Sequence, residues 1–177
     1  MTIIDLDRAA AKTEGNVDAV VIRPATSDDA TCIYELISEN LVAGHLLARP
    51  LGEIELHIPR FFVATESSRV IGCGELARHS TTVAEVRSLV VTSDRRGGRI
   101  GARLLTALIA EAVAHRLPRV CAFTHSPRPF IRAGFSIVPH PWVPEKIATD
   151  CQACDLFRFC DRYAVVLDTN PTLRGTL

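Results

Sequence analysis

Several features that direct a protein to a membrane, a polyanion or the cell exterior are missing from this sequence of 177 residues. Its 20 basic and 20 acidic residues cancel, so no net field favours nucleic acid or a membrane surface as a partner. No apolar run approaches the roughly 20 residues of a membrane span. Residues 1–18 are polar and alanine-rich and do not resemble a secretory leader, so we predict a disordered tail there and a cytoplasmic location.

The rest of the chain, residues 19–170, has the length and pattern of one α/β domain. Runs rich in β-branched residues alternate with segments of helical spacing in the order β-α-α-β-β-β-α-β-α-β, and residues 163–167 add a last strand. The clearest helix follows residue 99 and ends before Pro118. We predict a mixed central β-sheet flanked by helices on both faces.

A glycine–arginine turn, residues 96–102 with the sequence RGGRIGA, joins the strand at 83–91 to this helix. Glycines let backbone N–H groups approach a ligand closely, and the helix N-terminus adds partial positive charge. Four arginines surround the turn: Arg95, Arg96, Arg99 and Arg103. The pattern indicates a pyrophosphate site, and the alternative is a glycine loop with solvated arginines.

Residues 88–101, SLVVTSDRRGGRIG, resemble the acetyl-CoA motif of the GNAT (Gcn5-related N-acetyltransferase) family. That motif is an Arg/Gln-x-x-Gly-x-Gly/Ala turn after a strand that ends in an apolar triplet. Arg96 and Gly101 match its first and last positions, whereas Arg99 stands at the middle glycine and Gly98 lies one place early. Residues 130–135 are similar to the family's second motif. The resemblance implies the GNAT fold and acetyl-CoA as co-substrate, bound by Leu89, Val90, Val91, Arg96, Gly97, Gly98, Arg99, Ile100, Gly101 and Ala102.

Further segments resemble one branch of this family, the short bacterial N-acetylglutamate synthases. In chain order they are HLLAR at 45–49, FFVA at 61–64, VIGCG at 70–74, AEVRSL at 84–89, and WVPEKI at 142–147 with Asp150, Cys151 and Cys154 after it. This narrower resemblance implies acetyl transfer to the α-amine of L-glutamate, the first step of arginine synthesis. In a chain of this length we expect no separate regulatory domain of the amino-acid-kinase type.

Acetyl transfer requires a base, because amines are mostly protonated at neutral pH. Glu85 shares a strand face with Arg87 just before the glycine–arginine turn, so we predict that it accepts the proton directly or through water. The alternative is a surface carboxylate or a salt bridge to Arg87. The resemblance implies that a backbone N–H near residues 89–91 stabilises the oxyanion. The tyrosine acid of many family members has no counterpart here, which leaves water, His125 or Ser126 to protonate the thiolate.

Glutamate carries two carboxylates, so a glutamate site needs cationic side chains. We assign this role to Arg49, Arg87 and Lys146, with ordinary surface ion pairing as the alternative for each. Two other functions stay open: acetylation of a different small amine or peptide N-terminus, and a non-catalytic sensor that binds acetyl-CoA or a metal. The oligomeric state also stays open, a homodimer included.

The six cysteines are expected to be reduced, because nothing in the sequence indicates an oxidising compartment. Three of them lie in a C-terminal segment, residues 140–161, as Cys151, Cys154 and Cys160. Structural zinc needs four ligands, so a metal there would also need His140 or an aspartate such as Asp155. We predict instead a packed cap built around Phe157 and Phe159, with no metal required, and we place Cys32, Cys73 and Cys121 in the core.

Overall fold

The computed structural model describes residues 19–41, 46–155 and 157–170. The tail predicted at 1–18 and His45 of the HLLAR segment lie outside these ranges. The strands are β1 Val21–Pro24, β2 Phe61–Glu66, β3 Arg69–Arg78, β4 Val83–Val91, β5 Arg119–Thr124, β6 Ser136–Val138 and β7 Tyr163–Asp168. The α-helices are α1 Ala30–Glu39, α2 Leu51–His57, α3 Ile100–Ala114, α4 Arg128–Arg132 and α5 Pro144–Thr149.

The strands form one seven-stranded sheet in the order β1-β2-β3-β4-β5-β7-β6. Neighbouring strands are antiparallel except β4 and β5, which run parallel and pair only from Val83↔Arg119 to Glu85↔Cys121. Beyond that point the two strands separate, although β4 continues to Val91 and β5 to Thr124. An opening therefore lies in the middle of the sheet.

Helix α3 packs on one face of the sheet, directly over two glycines of β3. A Cβ on Gly74 would lie 2.9 Å from Leu108 Cδ1, and one on Gly72 would lie 3.0 Å from the Val90 carbonyl oxygen. Leu104 and Leu108 of α3 are fully buried there, and each contributes on the order of 1.5–3 kcal/mol. The missing side chains let the helix sit close to β3, which fixes where its N-terminus points.

The opposite face is covered by α1, α2 and α5. Ile33, Ile37 and Ile54 pack against Phe61 and Cys73 of the sheet, while Val143, just before α5, packs with Val83, Cys121 and Val166. Helix α5 was not predicted, because Pro139, Pro141 and Pro144 suggested an irregular segment. Pro144 is in fact the first residue of α5, where its missing N–H removes no helical hydrogen bond.

Two smaller expectations were wrong. Phe159 is 83% exposed and Phe157 is also exposed, so these rings do not pack a cap. Cys32 is exposed, because it lies on the outer side of α1, whereas Cys73 and Cys121 are buried as predicted. Burial raises the pKa of the Cys73 thiol to about 12, which keeps it protonated. Among the described residues, no helix has the length and apolar character needed to cross a membrane.

Candidate active site

A cleft of about 590 Å³ opens where β4 and β5 separate. Its floor is the second half of β4, one wall is the glycine–arginine turn with the start of α3, and the other wall is the end of β5 with α4. The residues that line it are Asn40, Val86–Val91, Arg95–Gly97, Arg99–Ala102, Phe123–Ser126, Pro129, Phe130 and Arg132. All residues predicted to bind acetyl-CoA line this cleft except Gly98. His125 and Ser126 also line it.

A β-bulge at Ser88 divides β4 into two halves. Cys73 pairs with Val90 and Glu75 with Arg87, so two steps on β3 match three on β4. Ser88 takes up the extra residue with φ 52°, in the left-handed region. As a result Val90 faces the α1 side and Leu89 packs on the α3 side. Regular alternation from Arg87 would have placed them the other way round.

The glycine–arginine turn reaches α3 through two residues of positive φ. Gly97 has φ 88° and Arg99, the N-cap of α3, has φ 59°. Arg99 occupies the place of the family's middle glycine, and a non-glycine residue in this region costs about 1–2 kcal/mol. A Cβ on Gly101 would meet only Val91 Cγ2, at 3.8 Å, and its surface faces the cleft.

The four arginines around the turn do not all face the cleft in the same way. Arg95 bonds Glu66 at 2.8 Å, and Arg103 donates to the Val20 carbonyl at 2.8 Å. Arg96 donates to Asn40 Oδ1 at 2.6 Å and stays on the cleft wall. Arg99 also lines the cleft, and no partner for its guanidinium occurs within the described ranges. Arg96 and Arg99 are therefore the cations of the turn that line the cleft without a carboxylate partner.

Glu85 lies beneath the point where β4 and β5 separate and is 3% exposed. Its Oε2 is 3.0 Å from His79 Nε2 and 2.9 Å from Lys146 Nζ. Burial raises the pKa of the Glu85 carboxyl, but the hydrogen bond from His79 and the charge of Lys146 outweigh burial and hold that pKa below its ordinary value. Glu85 is thus ionised at neutral pH and does not itself line the cleft.

Arg87 and Arg49 converge on a carboxylate that the sequence analysis did not single out. Glu75 is fully buried and accepts hydrogen bonds from Arg49 Nη1 and, at 2.9 Å, from Arg87 Nε. Glu75 lies directly opposite Arg87 in the β3–β4 ladder. Arg49 also donates to Glu53 at 2.6 Å and to Ser88 Oγ at 3.3 Å. Arg87 lines the cleft, whereas Arg49 is 8% exposed and borders a shallower depression between α1 and α2.

Lys146 of α5 completes this arrangement. Its ammonium lies 2.7 Å from Asp150 Oδ2 and 5.9 Å from the centre of the Phe123 ring, which lines the cleft. Asp150 Oδ2 is also 3.4 Å from Arg87 Nη1. We call Arg49, Glu53, Glu75, Glu85, Arg87, Lys146 and Asp150 the charge cluster. It meets the cleft at Arg87 and beside Phe123.

One group of potential metal ligands occurs in the described part of the chain: His79, Glu85 and Asp150, whose ligand atoms lie within 4.8 Å of one another. The ammonium of Lys146 bonds both carboxylates and supplies positive charge at that place. Cys151, Cys154 and Cys160 are half-buried and form no such group among the residues described. The expectation that no metal is required stays a prediction.

The sequence analysis missed Glu75, His79 and Asp150. Two of them had a signal: Glu75 is a charged residue in an otherwise apolar part of β3, and Asp150 lies four residues after Lys146, the spacing of a helical ion pair. These signals needed the register of β3 against β4 and the presence of α5, neither of which was available from the residue pattern alone.

The family model described as the acetyltransferase (GNAT) family matches residues 25–135 of the chain. The chain belongs to this family. Both the family and the mixed sheet flanked by helices were predicted, and both are confirmed. The cleft between β4 and β5 and the charge cluster are the candidate active site of this GNAT protein.

Proteins similar to this GNAT protein include other N-acetyltransferases, one of them an amino-acid acetyltransferase. It is 32% identical over 145 residues to an uncharacterized N-acetyltransferase of Chlorobaculum tepidum, covering 82% of this chain and 94% of that one. It is 31% identical over 122 residues to an amino-acid acetyltransferase of Ralstonia nicotianae, covering 68% of this chain but 27% of that protein. N-acetylglutamate synthase of Neisseria gonorrhoeae, solved with coenzyme A and N-acetyl-glutamate, has a TM-score of 0.76 and 25% identity, covering 86% of this chain and 35% of that one.

Proposed function

We propose that this protein transfers the acetyl group of acetyl-CoA to the α-amine of L-glutamate, giving N-acetylglutamate for arginine synthesis. The observation that carries the proposal is the position of Arg87 and Lys146 beside Glu85 at one end of the cleft. The glycine–arginine turn forms a wall of the same cleft. The likeness to the Neisseria synthase, solved with coenzyme A and N-acetyl-glutamate, supports it. That synthase is longer, so its substrate is carried over only as a proposal.

Coenzyme A would bind along the glycine–arginine turn. Backbone amides at the start of α3 and the guanidinium groups of Arg96 and Arg99 suit a pyrophosphate. The acetyl thioester would then lie along residues 89–91, where β4 has separated from β5 and its backbone is not paired with that strand. A backbone N–H in this stretch would donate to the carbonyl oxygen as negative charge develops on it.

The amine nitrogen attacks the thioester carbon, the carbon–sulfur bond breaks, and the amine must lose a proton. Glu85 is the proposed base. Because it is buried and ionised, it would take that proton through a water at the point where the strands separate. His79 links Glu85 to the exposed Thr149, whose Oγ1 is 2.8 Å from His79 Nδ1, and this chain leads from the base to solvent. Water, His125 or Ser126 would return a proton to the coenzyme A thiolate.

Arg87 and Lys146 would bind the carboxylates of the acceptor. Arg87 bonds Glu75 through Nε, while the one contact of its Nη1 among the described residues is the longer one to Asp150, so this edge of the guanidinium would face the acceptor. Arg49 lies behind Glu75 and would hold that carboxylate in place without reaching the acceptor itself. These contacts of Arg49 therefore favour a supporting role in substrate binding.

A thiol-release assay with acetyl-CoA and a panel of amines tests the proposal. The panel is L-glutamate, L-glutamine, L-aspartate, a polyamine and a short peptide, with glutarate as a control that has both carboxylates and no amine. We expect the highest kcat/KM with L-glutamate and no thiol release with glutarate. If the protein binds coenzyme A but no amine in the panel causes release of its thiol, the result would instead support a non-catalytic sensor.

One observation favours a second candidate, an acceptor that is neutral or cationic. The charge cluster has four carboxylates, Glu53, Glu75, Glu85 and Asp150, against three cations. Burial lowers the pKa of the neighbouring His57, so it adds no charge at neutral pH. A dicarboxylate would therefore enter a site without excess positive charge. Preference for a polyamine or a peptide N-terminus in the same panel would establish this candidate.

A further inference from the structure

The carboxylate of Asp150 occupies the place in which an acceptor carboxylate is expected. Its Oδ2 lies 2.7 Å from Lys146 Nζ and 3.4 Å from Arg87 Nη1, at the end of the cleft beside Phe123. Asp150 is the C-cap residue that directly follows α5. A side chain of the protein thus bridges the two cations that face the acceptor.

Asp150 differs from Glu75, the carboxylate that Arg87 bonds through its Nε. Glu75 is fully buried and is held by two arginines, so removing it from its place would leave buried charges unpaired. The Asp150 side chain is 34% exposed, and within the described ranges it accepts hydrogen bonds from Lys146 and Arg87. An incoming carboxylate would replace both bonds, and the displaced Asp150 side chain would enter water.

We propose that Asp150 is a specificity-determining residue that competes with the acceptor's carboxylate for Arg87 and Lys146. This rests on the proposed function in one respect, that the acceptor carries a carboxylate. An acidic acceptor displaces Asp150 and binds with reduced affinity. An acceptor without a carboxylate leaves Asp150 in place and is attracted by it. Asp150 thereby reduces the advantage in affinity that an acidic acceptor would otherwise have over an amine without a carboxylate.

The test measures glutarate binding by calorimetry, because glutarate has the carboxylates of glutamate and cannot be acetylated. Asp150→Asn should bind glutarate roughly tenfold more tightly than the wild type, the gain from one charge-assisted contact that no longer has to be broken. Asp150→Glu should bind it about as the wild type does. Asp155→Asn, an exposed aspartate of the same segment, is the matched control and should change nothing.

The site of the gain is checked with Asp150→Asn combined with Arg87→Ala, in which the tighter binding should disappear. If Asp150→Asn fails to fold, Asp150→Ser is measured in its place. Unchanged or weaker glutarate binding in the folded variant overturns the proposal and makes Asp150 a residue that positions Lys146. If Asp150→Asn still tightens glutarate binding when it is combined with Arg87→Ala, the proposal is overturned as well.

Kinetics add a readout that depends on turnover. In Asp150→Asn the KM for L-glutamate should fall while kcat stays within about twofold, as expected when only ground-state competition is removed. Failure of the wild type to acetylate glutamate would overturn the proposed function and leave the glutarate result standing. A wild type that acetylates glutamate, with no glutarate effect in Asp150→Asn, would overturn only the role of Asp150.

Discussion

The two ends of the cleft differ in how they are built. The cofactor end consists of consecutive residues, the second half of β4 and the glycine–arginine turn, and it offers backbone groups and the cations Arg96 and Arg99, which have no carboxylate partner in the part of the chain that the structure describes. The acceptor end is the charge cluster, whose side chains come from β3, β4, α2, α5 and the loop before α2 and are paired with one another. The cofactor end is therefore suited to one ligand, coenzyme A. At the acceptor end, the affinity for an acceptor depends on the balance among the paired charges of the charge cluster.

The largest effect is expected from Glu85→Gln, which removes the proposed base and preserves its shape. kcat should fall by about 10²–10⁴-fold, with little change in the KM for the amine. Raising the pH should restore part of the loss, because more of the amine is already deprotonated. Steady-state kinetics between about pH 6 and 9 measure this, a range that approaches the titration of an α-amine. Glu55→Gln, an exposed glutamate, is the control, and wild-type kcat in Glu85→Gln would exclude Glu85 as the base.

Glu75→Gln tests whether the acceptor end depends on its buried carboxylate. Removing the charge leaves Arg49 and Arg87 without their common partner, which should lower the free energy of unfolding by roughly 3–5 kcal/mol. Denaturant titration measures the loss. Glu66→Gln breaks the more exposed pair with Arg95 and should cost at most about 1 kcal/mol. Equal losses in the two variants would show that the charge cluster is not stabilised as proposed.

Gly101→Glu should disable the cofactor end without disturbing the fold. The new Cβ meets only ordinary contacts, and an acidic side chain in the first turn of α3 is favourable for the helix. Repulsion between like charges costs several kcal/mol, so coenzyme A affinity should fall by about 100-fold or more. Calorimetry and a thermal melt measure the two effects separately. Gly52→Glu, at a position with open space around it, should leave coenzyme A binding intact.

Arg87→Ala should weaken binding of the acceptor more than it slows the chemical step. The loss of one charged hydrogen-bond partner costs about 1.5–3 kcal/mol, which should appear as a higher KM for glutamate. Higher pH should not correct it, in contrast to Glu85→Gln. Coenzyme A affinity in the same variant should stay unchanged. A fall in kcat at constant KM would place Arg87 in the chemical step and would remove the distinction between the two neighbouring residues.

The residues that could be predicted from the sequence are those whose neighbours in space are also neighbours along the chain. The glycine–arginine turn is such a segment, and so is the pair Glu85 and Arg87 on one face of β4. Glu75 and His79 reach the same place from outside β4, so no local spacing indicates them, and the spacing between Lys146 and Asp150 becomes a signal only once α5 is known. The order of the strands along the chain was predictable because each strand has its own run of β-branched residues. Helix α5 was not predictable, because its prolines resemble those of a loop.

The bulge at Ser88 also has a consequence for how this protein can change. The extra residue resets the alternation of side chains. Glu85 and Arg87 therefore lie on one face of the sheet, and Leu89 and Val91 lie on the other. Substitutions before the bulge can alter the amine that is accepted while the residues after it keep their packing on α3. Deleting Ser88 would remove only the extra residue, so Leu89 would follow Arg87 in regular alternation and would stay on the α3 side. Evolution and protein engineering can therefore vary the acceptor by substitution before the bulge, and one residue can be lost at the bulge without turning the apolar half to the charged side.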